Sequence, residues 1–287
     1  MHNLKAIPYC PKRKSVIAQA ALSGLAVLLA LPAGATAGKP DAVAIVKKMV
    51  ATYKSVSTFQ ETSRARILML NGTSAEQSTT FKYRKPDRVA VTSVDPVNGT
   101  LEGFADGLTV SIYSGKQNVF TRRTAPTVYQ EIMQLIGSAS EESLGVRLSQ
   151  ILAPASFIAA KGSLPDEAKV FAYVQRQDLA GHHTYLIKAL ADPAWVQSLA
   201  PSLKVTPRRR DILFWIDTKS YNLVRATIAL TWMSTLPGQS RSARQTLKGG
   251  FAIEETHQNM ITNAPLPDSA FRFIPPRGAI EKFPKRG

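Results

Sequence analysis

The chain has 287 residues, a formal net charge of +16 and one cysteine. That length fits one β-rich domain or two small ones, and it can bury a sizeable core without covalent staples. A single cysteine excludes an intramolecular disulfide, a multi-thiolate metal site and a disulfide-stapled scaffold.

The first 37 residues read as a secretory signal. Lys5, Lys12, Arg13 and Lys14 give a basic start, Val16 to Leu31 form an apolar run, and Ala35-Thr36-Ala37 offers small residues for cleavage. Removing residues 1–37 leaves 250 residues, 38–287, read as a single domain. Four basic side chains and no acid leave with the signal, so the charge falls from +16 to +12. Cys10 also leaves, which excludes a cysteine nucleophile in the product; it precedes the apolar run and is wrongly placed for lipid attachment. No later run reaches the roughly 18 apolar residues that a membrane-spanning helix needs. These features predict a soluble, monomeric protein exported to a bacterial periplasm. Export makes nucleic acid an unsuitable partner for the positive charge. Anionic phospholipid headgroups suit it better, and solubility alone is the plainer explanation.

Pro40-Asp41 starts a helix in which Val43, Val46, Met49, Val50 and Tyr53 recur at three- and four-residue steps. From Ser57 the period becomes two. Phe59, Ala65, Ile67 and Met69 share one parity; Gln60, Thr62, Arg64 and Arg66 share the other. Asn71-Gly72 turns the chain. Phe81 and Tyr83 then face away from Lys82 and Arg84, and Val89 and Val91 continue after Pro86-Asp87. Further turns at Asp95-Pro96, Asn98-Gly99, Asp106-Gly107 and Gly115-Lys116 separate short strands. One of these alternates Leu108, Val110 and Ile112 with Thr109, Ser111 and Tyr113; another holds Val119 and Phe120. Turns this closely spaced predict an antiparallel meander.

Residues 126–160 read as two amphipathic helices. Tyr129, Ile132, Met133 and Ile136 form one stripe, and Leu144, Leu148, Ile151 and Leu152 the other. Strands resume at Val170 to Gln175 and His183 to Leu190, around Ala180-Gly181. A segment rich in Pro, Ala and Ser then ends in Arg208-Arg209-Arg210, read as a solvated loop. Ile212 to Thr218 and Leu223 to Met233 form a hairpin, residues 234–246 an exposed loop, and Thr246 to Ile261 a last long strand.

No nucleophile elbow, zinc helix, P-loop or dinucleotide fingerprint is present, so the sequence predicts no catalytic residue, cofactor or metal. His182 and His183 read as turn histidines, and a metal site would have to bring in distant His257. Glu141-Glu142 and Glu254-Glu255 read as solvated acids. Asp211 and Asp217 share a parity and are expected to pair with nearby arginines. What stands out is the apolar parity of the strands. A sheet with one apolar face needs a cover, and a loose cover leaves a cleft suited to acyl chains, where each buried methylene contributes roughly 0.8 kcal/mol.

Ser57-Thr58-Phe59-Gln60-Glu61 resembles the opening strand of periplasmic lipoprotein carriers of the LolA/LolB type. Tyr83-Arg84-Lys85-Pro86-Asp87-Arg88 resembles their basic-proline hairpin, and Phe104-Ala105-Asp106-Gly107-Leu108 followed by Ile112-Tyr113 their Asp-Gly strand turn. The ending Leu266-Pro267-Asp268-Ser269-Ala270-Phe271-Arg272-Phe273-Ile274-Pro275-Pro276-Arg277-Gly278-Ala279 is similar to that of an uncharacterised periplasmic branch of the superfamily, domain of unknown function 2092. The resemblance covers nearly all of 38–287. It implies a mainly β fold with helices: a curved, incompletely closed antiparallel half-barrel under a helical lid, holding lipid chains between them. The chain departs from the carriers in its extra length near 191–210 and 234–246, in lacking the receptor's lipidated cysteine, and in carrying Tyr113 in place of a tryptophan–tyrosine pair.

On strand parity, Phe59, Ile67, Met69, Phe81, Tyr83, Val89, Val91 and Ile112 should face the cavity. Phe214, Ile216, Ile228, Leu230 and Trp232 should join them from the later strands. Ile132, Met133 and Ile136 should close over them as the lid. The function implied is binding of lipid acyl chains or a lipoprotein without covalent chemistry. The alternative is a periplasmic sensor or adaptor that binds a protein partner with the same fold.

Overall fold

A computed structural model describes residues 39–70, 72–96, 99–139, 154–160, 162–165, 167–198, 204–235 and 246–282. Asp41 caps the first helix. Its carboxylate accepts from the backbone N–H of Val43 at 2.9 Å and of Ala44 at 3.2 Å, meeting two donors that a first turn leaves unpaired. Helix α1, Ala42–Ser55, then buries Ile45, Val46, Met49, Val50 and Tyr53 along one stripe. Val43, expected in that stripe, is only partly buried, and Ile45 takes the place beside it.

A meander follows: β1 Thr58–Met69, β2 Ser74–Arg84, β3 Arg88–Asp95, β4 Gly99–Ala105, β5 Thr109–Ser114 and β6 Val119–Thr124. Helices α2, Tyr129–Ala139, and α3, Pro154–Ala159, come next. A second run holds β7 Ala168–Leu179, β8 His182–Ala191, helix α4 Pro193–Ser198, β9 Lys204–Asp217, β10 Leu223–Thr235 and β11 Thr246–Thr262. A 3₁₀ turn, Asp268–Phe271, and the two-residue β12, Ile280–Glu281, end the described chain.

The strands form one sheet in the order β12-β6-β5-β4-β3-β2-β1-β11-β10-β9-β8-β7. Each run is a consecutive antiparallel meander, and the two join where β1 pairs with β11. β12 and β7 stand at opposite edges, so the sheet is open, as the sequence predicts. The exception to the antiparallel pattern is β12, which pairs parallel to β6.

One face of this sheet, the inner face, lies under the helices. Phe59, Ala65 and Ile67 of β1 are buried there, while Arg64 and Arg66 on the opposite parity are exposed. A single cluster of buried apolar residues extends from α1 through β1–β5, α2 and α3 to β8–β11.

The outer face of β4–β6 is covered by the chain end. The ring of Phe273 lies 5.7 Å from that of Phe104, 5.9 Å from Tyr113 and 5.3 Å from Phe120. Asp268 bonds to Arg84 and lies 2.9 Å from Arg88, and the Arg84 guanidinium sits 5.3 Å from the ring of Phe271. Asn118 donates to the carbonyl of Gly278 at 3.0 Å. Tyr113 is thus an outer-face core residue.

Several expectations need correction. Leu108 is 79% exposed because the strand starts one residue later. The Asp106 carboxylate accepts from the N–H of Leu108 and Thr109, and this turn holds Leu108 outside. Arg208-Arg209-Arg210 belongs to β9: Arg209 pairs with Asp211 at 2.8 Å, and Arg210 donates to the Ala191 carbonyl at 2.7 Å. The Pro- and Ala-rich stretch before it holds α4. Leu144, Leu148, Ile151 and Leu152 lie outside the described residues, as do Glu141-Glu142.

Candidate functional site

The inner face follows from register. Phe59 pairs with Tyr83, and Glu61 with Phe81. Phe81 faces Val91, Tyr83 faces Val89, Val91 faces Gly103, and Gly103 faces Ile112. In the other half, Ile228 faces Ile253 on one side and Ile212 on the other. Thirteen strand positions were predicted to share a face, and all thirteen pack in or against the same buried cluster, together with Ile132, Met133 and Ile136 of α2. Phe59, Val89, Phe214, Ile216, Leu230 and Ile132 are fully buried. Met69, Ile112, Met133 and Trp232 keep partial exposure.

The helices seat on this face by shape. At Gly103 a Cβ would stand 2.8 Å from the Ile136 side chain, so the missing side chain is what lets α2 approach β4. Gly249 similarly makes room for Trp232: a Cβ there would stand 2.5 Å from the indole. The Tyr129 ring stands edge-on to Tyr83 at 4.9 Å, and its hydroxyl donates to the Ala155 carbonyl at 3.1 Å, linking α2 to α3. The Tyr53 ring lies 5.6 Å from Phe59 and 5.7 Å from Phe157, and its hydroxyl accepts from the Leu223 N–H at 2.8 Å. Burial pushes the Tyr53 and Tyr129 phenols well above the ordinary range. The Glu61 charge adds to this in both, after Tyr83 in the case of Tyr129. Burial and then Asp87 push Tyr83 up to about 12.

The middle of this apolar face carries charge. Glu61 of β1 and His257 of β11 are both buried, with His257 Nδ1 3.1 Å from Glu61 Oε2. Glu255, two residues before His257, is buried on the same face and hydrogen-bonded to Ser63. Burial raises Glu255 from 4.5 to about 7; Glu61 adds to the rise, while His257 and Ser63 oppose it. For His257, burial disfavours the imidazolium, but the charge and hydrogen bond of Glu61, with the charge of Glu255, outweigh it and leave the ring above its ordinary value. His257 Nε2 is buried and has no hydrogen-bond partner among the described residues.

The expectation of solvated acids at Glu254-Glu255 therefore holds for Glu254, which is exposed, and fails for Glu255. The signal was legible: Glu61, Ser63, Glu255 and His257 carry the parity of Phe59 and Ile253, which is the core parity. His182 and His183, expected in the turn, are instead the first two residues of β8, just past Ala180-Gly181, bonded to Asp217 at 3.0 Å and to Asp178 at 2.5 Å. Asp217 binds His182 and its own turn rather than an arginine, whereas Asp211 pairs with Arg209 and Lys188. No group of three or more His, Asp or Glu among the described residues is placed to hold a metal. No described helix is long and apolar enough to cross a membrane.

The family model described as "Predicted periplasmic protein (DUF2092)" matches residues 42–281, nearly the whole described chain. The chain belongs to this family. No curated protein matches it. Among solved structures it is similar to the lipoprotein LppX of Mycobacterium tuberculosis, at 16% identity and a TM-score of 0.42, over 79% of this chain and 98% of LppX. It is also similar to a LolA superfamily protein of Nitrosomonas europaea, at 10% identity and 0.31, over 81% and 97%. The third is the MucA/MucB complex of Pseudomonas aeruginosa, at 11% and 0.37, over 80% and 60%.

Proposed function

We propose that this DUF2092 chain is a periplasmic lipid-binding protein that admits acyl chains between the inner face of its sheet and helices α1–α3. The observation that carries this reading is the inner face itself: thirteen apolar positions from two meanders form one continuous cluster with Ile132, Met133 and Ile136 of the covering helix α2. An entering chain replaces helix–sheet contacts with lipid–sheet contacts. Each methylene it buries contributes roughly 0.8 kcal/mol, so a long chain can offset the contacts the helices give up. The cover is suited to such exchange. α2 meets β4 at Gly103 through van der Waals contact, and a ligand needs only a differential affinity for the open state to shift the balance. The positive charge of the chain suits an approach to an anionic membrane surface, and no covalent step is required.

Native mass spectrometry of the protein isolated gently from a bacterial periplasm tests the proposal. The expected spectrum holds a fraction of molecules heavier by the mass of a lipid. A spectrum of bare protein, or of protein bound only to another polypeptide, would count against it.

A further inference from the structure

The Glu61–His257–Glu255 cluster is unexplained by lipid packing alone. A charged pair in an apolar interior costs desolvation that its mutual attraction need not recover, and an isosteric apolar pair would serve stability as well or better. The geometry of the ring is specific. Glu61 accepts from Nδ1, which fixes the imidazole orientation. Nε2 is then turned away from Glu61, buried, and without a hydrogen-bond partner among the described residues. A buried polar atom left in this way costs free energy that a suitable ligand atom recovers on binding.

The position within the sheet is equally specific. His257 faces Ser63 midway along the β1–β11 ladder. Towards one end, the same face carries Ile67 and Ile253, then Met69 and Phe251, and the partly open Trp232 beside Phe251. Six residues of strand separate His257 from Phe251, a span of roughly 20 Å, comparable with an extended long-chain acyl group.

We infer that His257 Nε2 is the hydrogen-bonding point for the carbonyl or carboxylate oxygen at the head of a bound acyl chain, whose tail runs along Ile253 and Ile67 towards Met69 and Trp232. This rests on the acyl-binding reading above and adds the ligand's polar end and its direction. Glu61 is the positioning residue: it holds the ring and balances the imidazolium charge. The head oxygen accepts from Nε2–H in this arrangement, so the acyl group is bound by His257 as the imidazolium, with Nδ1 donating to Glu61.

The test uses delipidated full-length protein and three probes delivered from cyclodextrin: palmitate, methyl palmitate and hexadecane. Nitrogen-15 imidazole spectra of the unsubstituted protein are read first. Palmitate and methyl palmitate should move the His257 Nε2 resonance, and hexadecane should leave it in place. In His257→Phe, affinity for the two oxygen-bearing probes should fall about tenfold while hexadecane changes less than twofold. Weakening of both assigns the shared carbonyl, and weakening of palmitate alone assigns a free carboxylate. If all three probes bind and Nε2 is unmoved, or the substitution affects them equally, the polar anchor is wrong and the acyl-binding reading survives. If none of the three binds, both fall. The spectra require no variant, so a His257→Phe protein that failed to fold would not rescue the inference.

Discussion

The sheet buries aromatic and aliphatic side chains on both faces of β4–β6, but covers them in different ways. On the outer face the cover is the chain end. It is fastened by Asp268 to Arg84 and Arg88, by Asn118 to Gly278 and by the parallel pairing of β12 with β6. On the inner face the cover is a set of short helices, seated through Ile136 on Gly103 and linked through Tyr129 to Ala155. The outer cover is held by ion pairs, a side-chain amide bond and a strand pairing; on the inner face α2 seats by shape, while α1 is bonded through the Tyr53 hydroxyl to the Leu223 N–H and through the Lys54 carbonyl to Lys85. The contrast teaches that burial alone does not mark a binding face. What distinguishes the inner face is a helical cover over a continuous apolar surface that also holds buried ionisable groups.

The outer cover should be the costlier to break and the less relevant to lipid. Phe273→Ala removes a buried ring that touches three others, and a loss of about 3–4 kcal/mol in denaturant unfolding is expected, within the usual range for buried Phe→Ala. Lipid binding by the protein that remains folded should not change.

The inner face should instead show itself in pH. Glu255 holds its proton up to about 7 in the folded chain against 4.5 in the unfolded one. A raised value means the folded state binds the proton more tightly, so the stability this group contributes is complete below about pH 4.5 and lost as pH rises through 7. His257, raised above its ordinary 6.5, acts in the same direction. Asp106, Asp211 and Asp217 are lowered: burial alone would raise them, but hydrogen bonds outweigh it, joined at Asp211 by the nearby Lys188 and Arg209 charges. Their contribution is therefore lost only as pH falls below the ordinary 3.8. Stability should peak on the acid side of neutrality and fall by about 3 kcal/mol or less towards pH 8. Glu255→Gln should flatten that decline, and denaturant titrations across pH read it directly.

A smaller effect is expected where the helix meets the sheet. Gly103→Ala places a methyl against Ile136, and overpacking of this kind costs about 1–3 kcal/mol. Its signature should be faster proteolysis and hydrogen exchange in α2 with β12 unaffected. Ile136→Ala in the same chain should restore protection.

Much of this was legible in the sequence. Period-two patterning identified the inner-face residues of both meanders, because strand side chains alternate strictly and a buried face needs apolar residues at every second position. The antiparallel meander followed from the turn spacing, and the open sheet under a helical cover from the family resemblance of Ser57 to Glu61 and Tyr83 to Arg88. The outer aromatic cluster was not legible: Tyr113 sits on the polar parity of its strand, and it becomes core with Phe104 and Phe120 only when Phe273 arrives from the far end of the described chain. The buried Glu61–His257 pair was missed although its residues carry the core parity. Neighbouring acids in sequence suggest a wet surface, and only the pairing of β1 with β11 brings a distant histidine to Glu61.

The central claim is that the inner cover lifts to admit lipid while the outer cover stays. Residues 38–287 contain no cysteine, so two can be introduced cleanly. Spin labels at the exposed Gln134 of α2 and the exposed Lys116 between β5 and β6 report the distance from helix to sheet. Adding lipid vesicles should lengthen and broaden that distance distribution. A distribution unchanged at saturating lipid would contradict the account.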